Sequence, residues 1–404
     1  MHSAKVLYIT YDGLTDPLGQ SQILPYFIYL ANKGLEIFVV SAEKKIPFLE
    51  RGKDIKKQIK KYNIHWYPIN YTKNPPILST IRDLKKIYST ALSIMQEEKP
   101  QIIHTRSYLP QQVAIKLKKH FPATKLLFDI RGFWIDERIE GGIWPNKHIY
   151  KVIYKYLKTK EPELYINANH IISLTYKGKQ IVSEQFNIPL QKISVIPCAA
   201  SQPPLLSANQ KEEIKQQLKI ESNYPIFTYV GSSGTWYMTE EIVKFFAIVL
   251  KKYPNALLLW FGNVNKKELI KHDKTGLLSP NNIIVKYIPH SELLSLLPVA
   301  DVGIFFIKPL WSKNASSPTK MGEMLAAGLP IIANDIGDVG KIIEETNCGI
   351  LIKEFNTFHY ESVVENLDRI IKTDKDNIKN AYTKYFSFDI AAQKYLTIYK
   401  NLIK

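Results

Sequence analysis

Short apolar runs recur along this 404-residue chain at 6–10, 37–41, 102–104, 125–128, 170–174 and 193–196, and again at 226–230, 256–261, 283–287, 302–306 and 331–334. Most are rich in Val, Ile, Leu or Phe with little alternation, which is how strands buried on both faces read. Helical or mixed patterns separate them. Parallel neighbours need a crossover, so strands alternating with helices predict an α/β fold with parallel sheets. The alternation breaks once, at 198–224, where Pro203-Pro204 precedes a polar Lys-Glu-Gln stretch. This segment reads as a linker between a first domain at 1–197 and a second at 225–385. A chain of this length suits two domains of about 200 residues each. A last helix over 386–404 carries Ala391, Tyr395, Ile398, Tyr399 and Leu402 on one face, so it needs a surface to pack on.

Composition narrows the class. An apolar fraction of 45% with 23% charged residues is that of a globular protein. The two cysteines, Cys198 and Cys348, fit no metal or redox spacing and are too few for a disulfide framework. Residues 1–5 run straight into the first strand without a signal-peptide pattern, and no apolar run nears the roughly 18 residues of a membrane span. The expectation is a cytoplasmic protein. Of the net charge of +17, residues 1–200 carry +14 and residues 201–404 carry +3. The basic half lacks the modules and aromatic interleaving of nucleic-acid binders, so nucleic acid is not expected as a partner. Its lysines lie on amphipathic helices. Lys56, Lys57, Lys60 and Lys61 flank a stripe of Ile55, Ile59 and Tyr62; Lys151, Lys155 and Lys158 flank Ile149, Ile153 and Leu157. Two readings stay open for these faces: solvated surface, or attraction to an anionic membrane at about 1 kcal/mol per basic residue.

The segment 316–330, Ser-Ser-Pro-Thr-Lys-Met-Gly-Glu-Met-Leu-Ala-Ala-Gly-Leu-Pro, carries the most chemistry. Ser317 suits an N-cap and Pro318 the first helical position; Gly328 and Pro330 end the helix. A helix start offers N–H groups and partial positive charge to an anion. Lys320 adds a full charge in the first turn, where the helix dipole disfavours it, and a bound phosphate would explain that. Glu323 could accept from ribose hydroxyls. Together they suggest a nucleotide diphosphate site, against the plainer reading of an αβ junction that binds nothing.

Four other segments stand at strand ends. Residues 11–22 follow the first strand, and Gly19 there permits close backbone approach. Residues 128–138, Phe-Asp-Ile-Arg-Gly-Phe-Trp-Ile-Asp-Glu-Arg, gather charges and aromatics at a sheet edge, where doubly wound folds bind ligands; a structural Asp129–Arg131 ion pair is the plainer reading. His104 ends an inner strand. Residues 230–236, Val-Gly-Ser-Ser-Gly-Thr-Trp, form a Gly-rich loop whose N–H groups could approach phosphate.

Taken together, these segments resemble glycosyltransferase family 4 over nearly the whole chain. The resemblance implies a GT-B fold: two doubly wound parallel-sheet domains facing a cleft, the last helix crossing back to the N-terminal domain. It implies a nucleotide diphosphate sugar as donor, a glycan or lipid-linked acceptor, retention of anomeric configuration, and no cofactor or metal. By the same token the nucleotide sugar is held by Gly19, Gly231, Ser232, Ser233, Ile288, Ser316, Ser317, Thr319, Lys320 and Glu323, and catalysis rests on Arg131, Asp129 and Lys320. Ile288 falls in Tyr287-Ile288-Pro289-His290, where the family contacts the base. The chain departs from the pattern in three places. Ala315 stands where the family has a first glutamate, Arg131 where it commonly has a histidine, and residues 231–243 hold neither of the usual arginine and lysine. The reaction needs stabilised charge on the leaving diphosphate and an aligned acceptor, and a retaining mechanism lets that phosphate take the acceptor's proton. The resemblance points to surface polysaccharide synthesis, with a membrane-peripheral site. The alternatives are a nucleotide-sugar epimerase of this fold, using Asp129, Arg131 and Asp136 as acid–base groups, or an inactive nucleotide-sugar-binding homologue.

Overall fold

A computed structural model describes residues 4–220 and 225–404. The outermost residues of the predicted first domain (1–3) and linker (221–224) lie outside them, as does the side chain of His290. The chain divides into two compact units, Met1–Pro197 with Ala391–Lys404, and Cys198–Ile390.

The first unit is built on seven parallel strands: β1 (Ala4–Thr10), β2 (Leu35–Glu43), β3 (Ile64–Asn70), β4 (Ile102–Arg106), β5 (Lys125–Asp129), β6 (His170–Ser173) and β7 (Ile193–Val195). Their order is β3-β2-β1-β4-β5-β6-β7. Alternate residues such as Leu7, Ile9, Phe38, Val40, Ile103 and Leu126 pack on Ile87, Ala91, Ile94 and Met95 of helix Leu78–Glu98. The periodicity did not mark β3. It is an edge strand of mixed burial, and its Pro68 is tolerated because only one side is paired.

The second unit holds six parallel strands: β8 (Ile226–Val230), β9 (Leu257–Phe261), β10 (Ile283–Lys286), β11 (Val302–Phe305), β12 (Ile331–Asn334) and β13 (Gly349–Ile352), in the order β10-β9-β8-β11-β12-β13. Its core runs from Phe227, Leu259 and Ile304 on the sheet to Phe245, Phe246 and Leu367. The short edge strand β13 was also not anticipated.

Residues 198–220, expected as a linker, belong to the second unit. Ser207 and Gln210 close a capping box on helix Ala208–Gln217. Beyond it Leu218 and Ile220 are buried in the second core, and Ala200 N–H donates to the Phe386 carbonyl at 2.9 Å. Ala200 is buried in the same core and Ile214 packs against it, so a few apolar side chains fasten a polar sequence. The last helix, Phe388–Ile403, buries Ala391, Tyr395, Ile398 and Tyr399, and its length from Ala391 onward belongs to the first unit.

In each sheet the order in which successive strands are added reverses once, between β1 and β4 and between β8 and β11. Ligands of open α/β sheets bind beyond the carboxyl ends of the strands at such reversals.

Candidate active site

At the reversal in the second unit, β8 runs into Gly231, whose φ of +120° only glycine adopts freely. The loop then folds back on the exit of β11: Met238 N–H donates to the Phe306 carbonyl and Lys308 N–H to that of Trp236. Tyr229, at the loop's foot, donates its hydroxyl to the Ser232 carbonyl at 2.7 Å. Helix Thr319–Ala326 starts beside this loop. Pro318 rather than Ser317 is its N-cap, and no side-chain hydrogen bond caps it among the described residues. Ser317 instead accepts from Cys198 N–H at 3.2 Å. Its hydroxyl is drawn to the start of the 198–220 segment, which local sequence cannot reveal. The helix ends as expected: Gly328 adopts φ +77°, with its N–H on the Leu325 carbonyl and Leu329 N–H on that of Met324, a Schellman ending.

Lys320 is buried. Its Nζ donates to the Tyr229 hydroxyl at 3.0 Å and lies 3.6 Å from the ring centre of Tyr237 and 4.1 Å from that of Tyr229. A Cβ built on Gly231 would stand 3.1 Å from this nitrogen, so loop and lysine meet. Burial holds the amine well below the usual lysine range, opposed by the Glu323 carboxylate. Glu323 is itself buried one turn on. Ser316 and Thr319 are half-buried at the helix entry, Ser233 is half-buried in the loop and Ser232 exposed. Ile288 packs against the second core. A cavity of about 390 Å³ opens against the loop, lined among others by Ser233, Gly234, Tyr237, Thr239, Leu269 and Lys308.

Lys313 escaped the sequence reading. It is buried, with Nζ 3.5 Å from the ring centre of Trp236. Two buried lysines thus lie on the adjacent rings of Trp236 and Tyr237, near a loop that lacks the cations of the family pattern. Nothing in the local pattern marks Lys313, since its burial depends on where β11 exits. Ala315 is fully buried.

In the first unit the reversal joins Asp12, just after β1, to Arg106, the last residue of β4: Arg106 Nε donates to Asp12 Oδ2 at 3.1 Å. The β1 exit loop is clamped by the buried Glu43, which accepts from Leu14 N–H at 2.7 Å and Thr15 N–H at 3.1 Å. Gly19 is needed there for an internal reason. A Cβ on it would fall 2.1 Å from the Gly13 carbonyl oxygen, so the backbone it lets approach is the chain's own.

At the end of β5, Asp129 Oδ2 accepts from Tyr395 of the last helix at 2.9 Å and lies 3.6 Å from Arg131 Nη1. The expected Asp129–Arg131 pair is therefore formed. His104 Nδ1 meets Tyr399 Oη at 2.6 Å; burial, then the charges of Arg106 and Arg131, keep this imidazole well below the usual histidine range. A neutral, enclosed histidine that ties down the last helix is structural. Backbone strain collects at the same edge. Ser107 has φ +70° with ψ −179°, and Arg131 has φ +54°, conformations that side-chain-bearing residues keep only when the surroundings enforce them. Asp136 faces elsewhere, accepting from Tyr154 at 2.8 Å and Lys158 at 3.1 Å, so the acid–base trio needed by an epimerase is not assembled.

Residues 210–385 match the family of glycosyl transferases group 1. The match covers most of the second unit, where the loop and helix start lie. An uncharacterized glycosyltransferase of Methanocaldococcus jannaschii is 25% identical over 280 residues, 64% of this chain and 61% of the relative. The O-antigen chain mannosyltransferase RfbU of Salmonella typhimurium is 22% identical over 270 residues, 66% of each. The chain thus spans less than two thirds of the length of these relatives. Among solved structures, Anabaena Alr3699/HepE in complex with UDP-glucose superposes with a TM-score of 0.68 at 13% identity, covering 99% of this chain and 98% of the other. Likeness at that identity bears on the fold alone, and the fold is GT-B.

Proposed function

We propose that the chain is a retaining glycosyltransferase that takes a sugar from a nucleotide diphosphate donor bound on the second unit. The observation that carries this reading is Lys320, a buried amine against Gly231 at a helix start that no side chain caps among the described residues, with Glu323 one turn on. A diphosphate would supply the negative charge such an amine lacks, and the growing charge on the leaving phosphate is what the amine and the helix start would stabilise. Glu323 would accept from the ribose, with Lys313 as a second cation. The acceptor oxygen forms its bond to the anomeric carbon as the bond to the leaving phosphate breaks. The acceptor's proton passes to that phosphate. Arg131, oriented by Asp129, would act on the reacting sugar.

The acceptor in this reading is a glycan or lipid-linked glycan of surface polysaccharide synthesis, met at the cytoplasmic face of a membrane. The relative that acts on O-antigen and the fold-mate holding UDP-glucose support it by analogy. Among the described residues no helix is long and apolar enough to cross a membrane, so contact would be peripheral. Calorimetry with UDP, GDP, ADP and CMP tests the donor site. Glu323→Ala should cost about 1.5–3 kcal/mol of affinity through lost charge-assisted bonds. Lys320→Ala should reduce turnover more than affinity. Unchanged binding and turnover in both variants would move the donor elsewhere.

A further inference from the structure

Tyr395 lies on the last helix, Phe388–Ile403, in the stretch that belongs to the first unit. Its ring is held on two sides, edge-on to Tyr26 at 5.1 Å and tilted toward His104 at 5.7 Å between ring centres. The side chain is buried, so this packing leaves its hydroxyl little choice of direction. The hydroxyl donates to Asp129 Oδ2 at 2.9 Å. Among the described residues that is the one hydrogen bond the carboxylate receives. Its Oδ1 is buried without a partner. Arg131 Nη1 stands 3.6 Å from Oδ2 and His104 Nε2 stands 4.0 Å from it, both beyond hydrogen-bond reach. Free to choose, an arginine and a carboxylate close to bonds of about 2.7–2.9 Å, often two in parallel. The Asp129–Arg131 pair stays open although one carboxylate oxygen has no other claim on it.

We infer that Tyr395 is a positioning residue for Arg131: its hydroxyl anchors Oδ2, stops the Asp129 carboxylate from turning onto the guanidinium, and so leaves the arginine's donors for the reacting sugar. The inference rests on the reading of Arg131 as the group that acts on that sugar. A carboxylate that has lost its hydrogen bond out of water seeks another donor, and Arg131 is the nearest charge. The rival account is that Tyr395 only fastens the last helix. Tyr399 supplies the control for that account. It sits one turn further along the same helix, is equally buried, and bonds His104 Nδ1 at 2.6 Å without touching Asp129. The two tyrosines share the work of docking, and one of them also holds the catalytic pair.

Tyr395→Phe and Tyr399→Phe each remove one oxygen and keep the ring packing, so both variants of the full chain should fold, with similarly lowered Tm. The chain holds six arginines, and the side-chain Nε–H signal of Arg131 in a nitrogen-edited NMR spectrum is the one missing from Arg131→Lys. In Tyr395→Phe that signal should move and exchange more slowly with water, because Asp129 has closed on the guanidinium. In Tyr399→Phe it should stay in place. This arm needs no substrate. With UDP-glucose as the probe donor and UDP release as the readout, Tyr395→Phe should lower kcat and kcat/KM together at least about tenfold, the mark of a group misplaced for the transition state alone. KM and the affinity for UDP should hold, and Tyr399→Phe should turn over as the wild type does. An Arg131 signal in Tyr395→Phe that is unchanged, or that exchanges faster, would overturn the inference. Equal losses in the two variants would do so too, by returning Tyr395 to helix docking. Failure of the underlying reading looks different: Arg131→Ala would then keep its turnover.

Discussion

The Lys320 amine donates to the Tyr229 hydroxyl, and that hydroxyl donates in turn to the Ser232 carbonyl, so one chain of hydrogen bonds joins the helix start to the Gly-rich loop. Both members sit out of water. Burial lowers the lysine and raises the tyrosine, and each shift favours the neutral form.

Proton linkage at Lys320 has a definite sign. Its folded value lies below the unfolded one, so the unfolded chain takes up a proton that the fold refuses. Stability is therefore lost as pH falls from the ordinary lysine range toward the lowered value. A bound diphosphate would restore the charge. Between the lowered value and that of the liganded state, nucleotide binding should take up protons. Calorimetry in two buffers of different ionisation enthalpy measures the uptake, which should vanish in Lys320→Met. Equal uptake in the two proteins would separate Lys320 from the phosphate.

For Arg131 the expected outcome concerns rate. Arg131→Ala should lower turnover at least about a hundredfold, as loss of one electrostatic stabiliser does, with nucleotide affinity little changed. A folded variant of near-normal turnover would reduce the Asp129 pair to a structural contact.

Ser107 offers a test of stored strain. Its backbone sits in a region that glycine favours, at a cost of about 1–3 kcal/mol, against roughly 0.5–1 kcal/mol of added chain entropy for glycine. Ser107→Gly should raise the Tm of the first unit by about 2–4 °C for each kcal/mol gained. A lower Tm in scanning calorimetry would mean the serine hydroxyl contributes more than its backbone costs.

The lysine faces make a fourth prediction. Lys56, Lys57, Lys60 and Lys61 are exposed, as are Ile46 and Leu49 at the other end of helix Lys45–Ile59. On helix His148–Ile166, Leu157 is buried as expected, but Ile149, Val152 and Tyr156 are exposed, and Lys158 is drawn into Asp136 and Glu161. Phosphatidylglycerol vesicles should sediment the protein at low salt. Replacing the four lysines with glutamine should release much of it, and so should salt that brings the Debye length toward about 3 Å. A remainder that resists salt should disappear with Ile149→Asn and Val152→Asn. Equal recovery on neutral and anionic vesicles would return these faces to solvent.

Most of the fold was legible in order of residues. Eleven of the thirteen strands announce themselves as apolar runs, because a strand covered on both faces must be apolar throughout. The two that did not, β3 and β13, lie at sheet edges where one side stays open. The Schellman ending at Gly328 was equally local, since left-handed backbone selects glycine. Lys320 and Glu323 could be named because helix spacing sets them one turn apart. What local sequence could not decide was which distant group each side chain would meet. Ser317 reads as a cap until Cys198 claims its hydroxyl; Gly19 reads as open to a ligand until Gly13 fills the space; Asp136 reads as an acid until Tyr154 and Lys158 engage it. Lys313 against Trp236, Arg106 against Asp12 and Arg138 over Trp134 are likewise products of where strands exit. Periodicity is set by neighbours three or four residues away, whereas a buried polar group is satisfied by whatever the topology carries to it.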